Sequence, residues 1–327
     1  MGEATIRIGY HASHEQFSPE ELLRLVQKAE AAGFGAAMSS EHFRPWSRSQ
    51  GHSGFTLSWL GAAMQATSLP FGTLAVPGGW RYHPAIVAQA GATLARMFPG
   101  RFQWMALGSG QALNERVVGD GWPAKEERNR RLKAGAEIIR ALWAGETVTR
   151  GEPIPVEEAH LYTRPDDPPL LMGAALTPET AEWLGGWADG MATVYAEPAR
   201  LKEIIAAFHR GGGEGKRLAV QVHLSWADSD EQSRRIAHEH WRYNIVPPVA
   251  AEELRLPEQF EAVTETLRPE DLEGHIVMSS DRGTYIDLLR ELRELGFDEA
   301  YLHHVGPEQD RFVEAFGRDV LPQCAER

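Results

Sequence analysis

Residues 37–46, AMSSEHFRPW, end a short apolar run with a carboxylate (Glu41), an imidazole (His42), a guanidinium (Arg44) and an indole (Trp46). Histidine can take up or release a proton near neutral pH, and a tryptophan face can wall a flat ligand. An isolated histidine at a strand end is more often a satisfied hydrogen-bonding residue than a catalyst. Here a second stretch, GGWRYHP, sets Trp80, Arg81 and His83 just past the next apolar run, and a third, ALGSGQ, ends in Ser109, Gly110 and Gln111. Three run-ends carrying such groups point to one shared site.

The elements that would position them alternate along the chain. RIGYHAS, GAAMSS, FGTLAV, RFQWMALGSG, LLMGA, GMATVY, LAVQVHLSWA and EAYLHHV read as eight short strands. Helical patterns separate them, as in SPEELLRLVQKAEAAG. There Ser18 is placed to cap, Pro19 suits the first turn, Glu21 completes a capping box and Gly33 suits a left-handed C-terminal position. Leu22, Leu25, Val26 and Ala29 form its buried stripe. This grammar predicts a (β/α)8 TIM barrel, whose active groups gather at the C-terminal strand ends. The alternation is interrupted twice, by a proline- and acid-rich segment at about 146–169 and by a largely helical stretch at about 228–275, both read as insertions in one barrel domain. An open dinucleotide-binding sheet would need a glycine-rich first turn. GSGQAL at 108–113 has Leu113 where the third glycine belongs, and GGGEGKR at 211–217 has Arg210 and Arg217 at the two key positions of a phosphate loop.

Composition narrows the function. The chain has 327 residues, 43% of them hydrophobic and 24% charged, and a formal net charge of -13. Such a balance disfavours a general affinity for nucleic acid or anionic membrane. One cysteine, Cys324, allows no internal disulfide and reads as an inert thiol. No apolar run approaches the roughly 18–20 residues of a membrane span, and a cytoplasmic location is expected. No metal site is expected, since His11 and His14, His238 and His240, and His303 and His304 lack the H-E-x-x-H spacing and read as solvated or capping residues. No G-x-S-x-G stretch marks a hydrolase nucleophile. The basic positions Lys125, Arg128, Arg130, Arg131 and Lys133 read as a solvated helix face, or second as a subunit contact.

The runs IGYHASHEQFSPEELL, SSEHFRPW, GHSGFTLSW, GTLAVPGGWRYHPAIVAQAGATL and GSGQALNE together resemble the deazaflavin-dependent glucose-6-phosphate dehydrogenase branch of the bacterial luciferase-like oxidoreductases. The resemblance implies a flavin or deazaflavin at the barrel mouth, with a cis peptide at Leu74–Ala75 backing its ring. It makes His42 the base that takes a hydroxyl proton as hydride leaves, and Trp46 the aromatic between ring and substrate. It places Glu41, Ser109, Gly110 and Asn114 around the cofactor, and the backbone of the turn holding Ala174, Ala175 and Thr177 near its phosphate. The branch is often dimeric, so a homodimer is an expectation by analogy.

Three departures shift the reading. Gln111 stands where the dehydrogenases carry a glutamate proposed as proton donor, and an amide cannot deliver a proton as a titrating acid. Glu41 replaces an aspartate. Where the branch grips a sugar phosphate with a lysine, this chain has Val194, Tyr195, Ala196 and Glu197. The sequence therefore favours FMN and a luciferase-like oxidoreductase or monooxygenase acting on an uncharged or weakly polar small molecule. A deazaflavin (F420) alcohol or sugar dehydrogenase with His42 as base is the alternative, and a flavin-binding protein without turnover the third.

Overall fold

Strands of a parallel barrel are covered on both faces, so they are expected as nearly continuous runs of small and apolar residues. A computed structural model describes residues 5–77 and 81–324, with side chains described for all of these except 75–77. All eight expected strands are present: β1 (Arg7–Ala12), β2 (Ala36–Ser40), β3 (Phe71–Pro77), β4 (Phe102–Gly108), β5 (Leu170–Ala174), β6 (Gly190–Val194), β7 (Arg217–Trp226) and β8 (Glu299–His304). Each pairs in parallel with its neighbour in sequence, and β8 pairs with β1, which closes the ring. Among the helices between and after them are α1 (Pro19–Ala31), α2 (Thr56–Ala66), α3 (Pro84–Met97), α4 (Lys125–Ala144), α5 (Pro178–Gly185), α6 (Pro198–Phe208), α7 (Arg282–Glu294) and α8 (Gln309–Asp319). The fold is a (β/α)8 barrel.

In α1 the Ser18 hydroxyl accepts from the Glu21 amide, and Leu22, Leu25, Val26 and Ala29 are fully buried. Gly33 has φ +98°. The reciprocal half of the capping box is replaced, because the Glu21 carboxylate takes both Nε and Nη2 of Arg24 instead. Segment 146–169 contains an antiparallel hairpin, Val148–Arg150 with Val156–Ala159. The second insertion opens with the helix Asp230–Trp241 and is followed by a short strand, Val277–Ser279, parallel to the end of β7, that sequence reading did not anticipate.

Side-chain alternation sorts the barrel interior into layers. At the N-terminal floor Glu299 is buried, accepts from Trp104 Nε1 at 2.7 Å and from the Tyr301 hydroxyl at 3.0 Å, and pairs with Arg7 at 3.1 Å and Arg217 at 3.3 Å. Above it Trp104, Tyr301, Met38, Met172, Ala192 and Ala219 fill the centre. The fit is tight: a Cβ on Gly72 would stand 2.1 Å from the Trp104 ring. At the C-terminal end the interior layer divides in two. From β3 to β6 it offers Leu74, Gly108, Ala174 and Val194, whereas from β7 through β8 to β1 and β2 it offers Gln221, His223, His303, His11 and Ser40.

Candidate active site

His42 lies two residues beyond β2, with its side chain 12% exposed. Its Nδ1 meets the carboxylate of Glu15, which lies on the loop after β1 and is fully buried. The Ser13 hydroxyl donates to that carboxylate at 2.9 Å, and the Ser40 hydroxyl at 2.8 and 3.0 Å to its two oxygens. Burial by itself would raise the Glu15 pKa. The His42 charge and hydrogen bond, with smaller help from His11 and Ser40, outweigh it and hold the carboxyl below the ordinary range. An ionised Glu15 accepts the Nδ1 proton and leaves the Nε2 lone pair of His42 free, the arrangement a general base requires. Trp46 meets the His42 ring edge-on at 5.1 Å and packs on Phe260 at 5.2 Å. Glu15 is the functional residue that sequence reading missed. The signal was an acid inside the otherwise uncharged loop HASHEQ, immediately after a strand.

The remaining residues of this rim secure the loop. Glu41 is buried, and its carboxylate accepts from the Thr56 amide at 2.9 Å, from Arg81 Nη1 at 2.7 Å and from the Tyr82 hydroxyl at 2.5 Å. Arg81 continues to Glu115, whose pKa burial raises against the pull of Arg81 and His42. Asn114 Oδ1 accepts from the amides of Phe43 and Arg44 at 2.9 and 3.1 Å, so this side chain fixes the His42 loop. Gln111 heads the short turn Ala112–Glu115, where its carbonyl accepts from the Asn114 and Glu115 amides, and its side-chain oxygen accepts from Asn114 Nδ2 at 3.3 Å. Gly110 has φ +81°, and a Cβ there would stand 2.6 Å from Glu115 Cγ, so only glycine brings the β4 loop this close. His83, grouped with the site on sequence, instead caps α3 through its Nδ1.

Ser109 accepts from Lys125 Nζ at 2.8 Å, and that lysine also pairs with Glu252 at 2.6 Å. Arg128 is buried against Glu252 and Glu253. The basic helix face is therefore not simply solvated, since two of its cations clasp the second insertion. The same strap accepts the Ala112 amide on the Glu252 carbonyl at 2.9 Å and Arg44 Nη1 on the Arg255 carbonyl at 2.9 Å. At β5, Ala174 ends the strand, the Ala175 amide bonds the Ala192 carbonyl, and the Thr177 hydroxyl caps α5 by accepting from the Thr180 amide at 3.3 Å. The Ala175 amide is thus already engaged, and the turn reaches a phosphate only through its other amides. Leu74 and Ala174 lie on the apolar half of the mouth, opposite the histidines, where a flat heterocycle would be covered. The Ala75 side chain, the Leu74–Ala75 bond and Trp80 lie outside what is described.

His11, His14, His303 and His304 are buried, which corrects their reading as solvated or capping side chains. Burial lowers His11 and His304 to about 3 and His14 to about 4, so all are neutral. Among the described residues no group of three His, Cys, Asp or Glu side chains could hold a metal ion, and no helix is long and apolar enough to cross a membrane.

Comparison with known proteins meets this geometry. The family described as luciferase-like monooxygenase matches residues 4–299. The F420-dependent glucose-6-phosphate dehydrogenase of Nakamurella multipartita is 34% identical over 99% of this chain and 98% of its own length, and that of Mycobacterium avium is 31% identical over 98% of each. An F420-dependent secondary alcohol dehydrogenase, solved with an F420-acetone adduct, superposes with a TM-score of 0.91 at 28% identity, covering 98% of this chain and 100% of that one. The barrel, its mouth and the match over most of its length agree: the chain belongs to the luciferase-like monooxygenase family and is an oxidoreductase.

Proposed function

We propose that this enzyme is a deazaflavin-dependent dehydrogenase that oxidises a hydroxyl of a small organic substrate, with His42 as general base. The observation that carries this reading is the Glu15–His42 pair at the barrel mouth, which leaves Nε2 of His42 free to accept a proton. A luciferase-like reaction with oxygen has no evident need of a histidine held in that state, whereas removal of a hydroxyl proton does. The F420 dependence of the relatives at 30–34% identity favours F420 over the FMN that Gln111 favours on sequence. The residues present fit such a cofactor: an apolar half-mouth with Leu74 and Ala174, close backbone at Gly110, and the α5 N-terminus beyond Thr177.

When bound, the deazaflavin supplies a two-electron hydride acceptor. His42 Nε2 takes the hydroxyl proton as the C–H bond of the same carbon gives up its hydride. Glu15, still ionised, offsets the charge that develops on the imidazole, and the exposed edge of His42 returns the proton to solvent. Trp46 and Phe260 shut water away from that side. Glu197, near the end of β6 where the related dehydrogenases carry a lysine, disfavours a phosphorylated substrate. A second reading, an FMN-linked oxidation, draws on Gln111 alone.

Titration of the protein with F420 and with FMN, followed by turnover of hydroxylated substrates, tests the proposal. The expected result is tight F420 binding and hydride transfer that His42→Ala lowers about a hundredfold or more while the cofactor stays bound. Tight FMN with weak F420, or unchanged turnover in His42→Ala, would overturn it.

A further inference from the structure

On the side of the mouth opposite the apolar half, three neighbouring strands each place an imidazole at one height. His303 of β8 is in register with His223 of β7, and the β1–β8 register that pairs Tyr10 with Leu302 brings His11 level with His303. The His11 and His303 ring centroids are 4.5 Å apart, those of His223 and His303 5.2 Å. Trp241, from the first helix of the second insertion, closes the group at 4.5 Å from His303 and 5.2 Å from His223. All four side chains are buried.

His303 is fully used within the protein. Gln16 Nε2 donates to the Val305 carbonyl at 2.8 Å, so Gln16 Oε1 accepts from His303 Nε2–H at 2.7 Å, and His303 Nδ1 then accepts from Gln221 Nε2 at 3.2 Å. This chain fixes a neutral tautomer. The groups flanking it are not used: His11 Nδ1 and the indole N–H of Trp241 are buried and have no hydrogen-bond partner. Buried polar atoms are nearly always paired, so two orphans in one cluster beside the reacting histidine require an explanation. Packing does not give one, because Tyr301 fills the layer directly below and Met38 of β2 stands level with His11.

We propose that His11, His223 and Trp241, held around His303, are the substrate-reading face of the mouth, and that the substrate is an uncharged molecule with at least two hydroxyl groups. This rests on the dehydrogenase reading: one hydroxyl meets His42, and another reaches the orphan nitrogens. The face carries no charge to bind an anion. Burial keeps His11 and His223 at about 3 and His303 well below its ordinary value. None of the last two residues of any of the eight strands is lysine or arginine, and the ionised Glu15 adjoins His11. A phosphate would enter against that field with no lysine or arginine at those strand ends to meet it.

The test measures binding apart from turnover. Tryptophan fluorescence of the F420-loaded enzyme is titrated with glycerol, xylitol, sorbitol, 2-propanol and sorbitol 6-phosphate. At least one neutral polyol is expected to bind at least tenfold tighter than 2-propanol and than sorbitol 6-phosphate. His11→Phe and His223→Phe should each weaken that polyol at least tenfold more than they weaken 2-propanol. His11→Gln and His223→Gln, which keep a hydrogen-bonding group, should recover part of the loss, which separates recognition from misfolding. Tighter binding of the phosphate ester, absence of binding by every polyol, or polyol affinity indifferent to the Phe variants would overturn the proposal. Polyol binding without hydride transfer would sink the dehydrogenase reading alone, and turnover of 2-propanol without polyol binding would sink only the substrate class.

Discussion

Replacing Glu15 by glutamine isolates the feature on which the mechanism depends. Glu15 accepts hydrogen bonds from Ser13, Ser40 and His42 and is buried, so glutamine fills the same space without the charge. Its amide has one accepting oxygen for two serine hydroxyls and an imidazole N–H. With that oxygen kept by the serines, its NH2 faces His42 and donates to Nδ1, which moves the ring proton to Nε2 and removes the base. The charge that would offset the developing imidazolium is lost as well. General-base catalysis is worth roughly 10²–10⁴ in rate, and a carboxylate-to-amide change behind a catalytic histidine reaches the upper part of that range in serine proteases. Glu15→Gln should therefore lower kcat by about 10³, or about 4 kcal/mol at about 1.4 kcal/mol per decade, with F420 affinity within about threefold of the parent. Steady-state loss of the oxidised cofactor's absorbance, beside a separate binding titration, measures both. A kcat within threefold of the parent with F420 bound would refute the tautomer argument.

Acid stability offers an independent check. His11, His14, His223 and His304 are depressed to between about 3 and about 4, so the unfolded chain binds protons that the folded one refuses. Their contribution is complete above the ordinary histidine value and is lost as pH falls from about 6.5, at up to about 1.4 kcal/mol per pH unit for each group. Urea midpoints should decline between pH 6.5 and 4.5, before most carboxylates titrate, and a flat profile there would contradict the buried neutral cluster. Glu252→Ala strips buried Arg128 of a partner and should cost about 3 kcal/mol in urea unfolding, whereas a change under 1 kcal/mol would show that Glu253 suffices. Gln111→Glu, which restores a titrating acid to the β4 loop, should raise F420-linked turnover severalfold. Unchanged turnover with F420 bound in that variant would show that position 111 does not face the ring.

The barrel was legible because its strands are apolar runs set at regular intervals between amphipathic helices, and both signals are local. His42, Trp46 and the loop at Gly110 could be grouped because each follows such a run. Glu15 could not be singled out, since its partnership with His42 spans 27 residues and nothing in HASHEQ shows which way the acid turns. The histidines at 11 and 303 were misjudged for a related reason: their burial follows from the barrel's closure between its first and last strands, which no window of sequence contains. Arg128 looked like one charge on a wet helix until the strap near residue 252 covered it.

The floor of the barrel has an evolutionary corollary. Glu299 ties Arg7 and Arg217 across the seam where the first, seventh and eighth strands meet, and Trp104 reaches it from the strand diametrically opposite. Closure is thus secured at one end of the cylinder by residues remote from the chemistry. The other ends of those same three strands carry His11, His223 and His303. A lineage could exchange these without unfastening the ring, so new specificities can be explored on a scaffold whose integrity is guarded elsewhere.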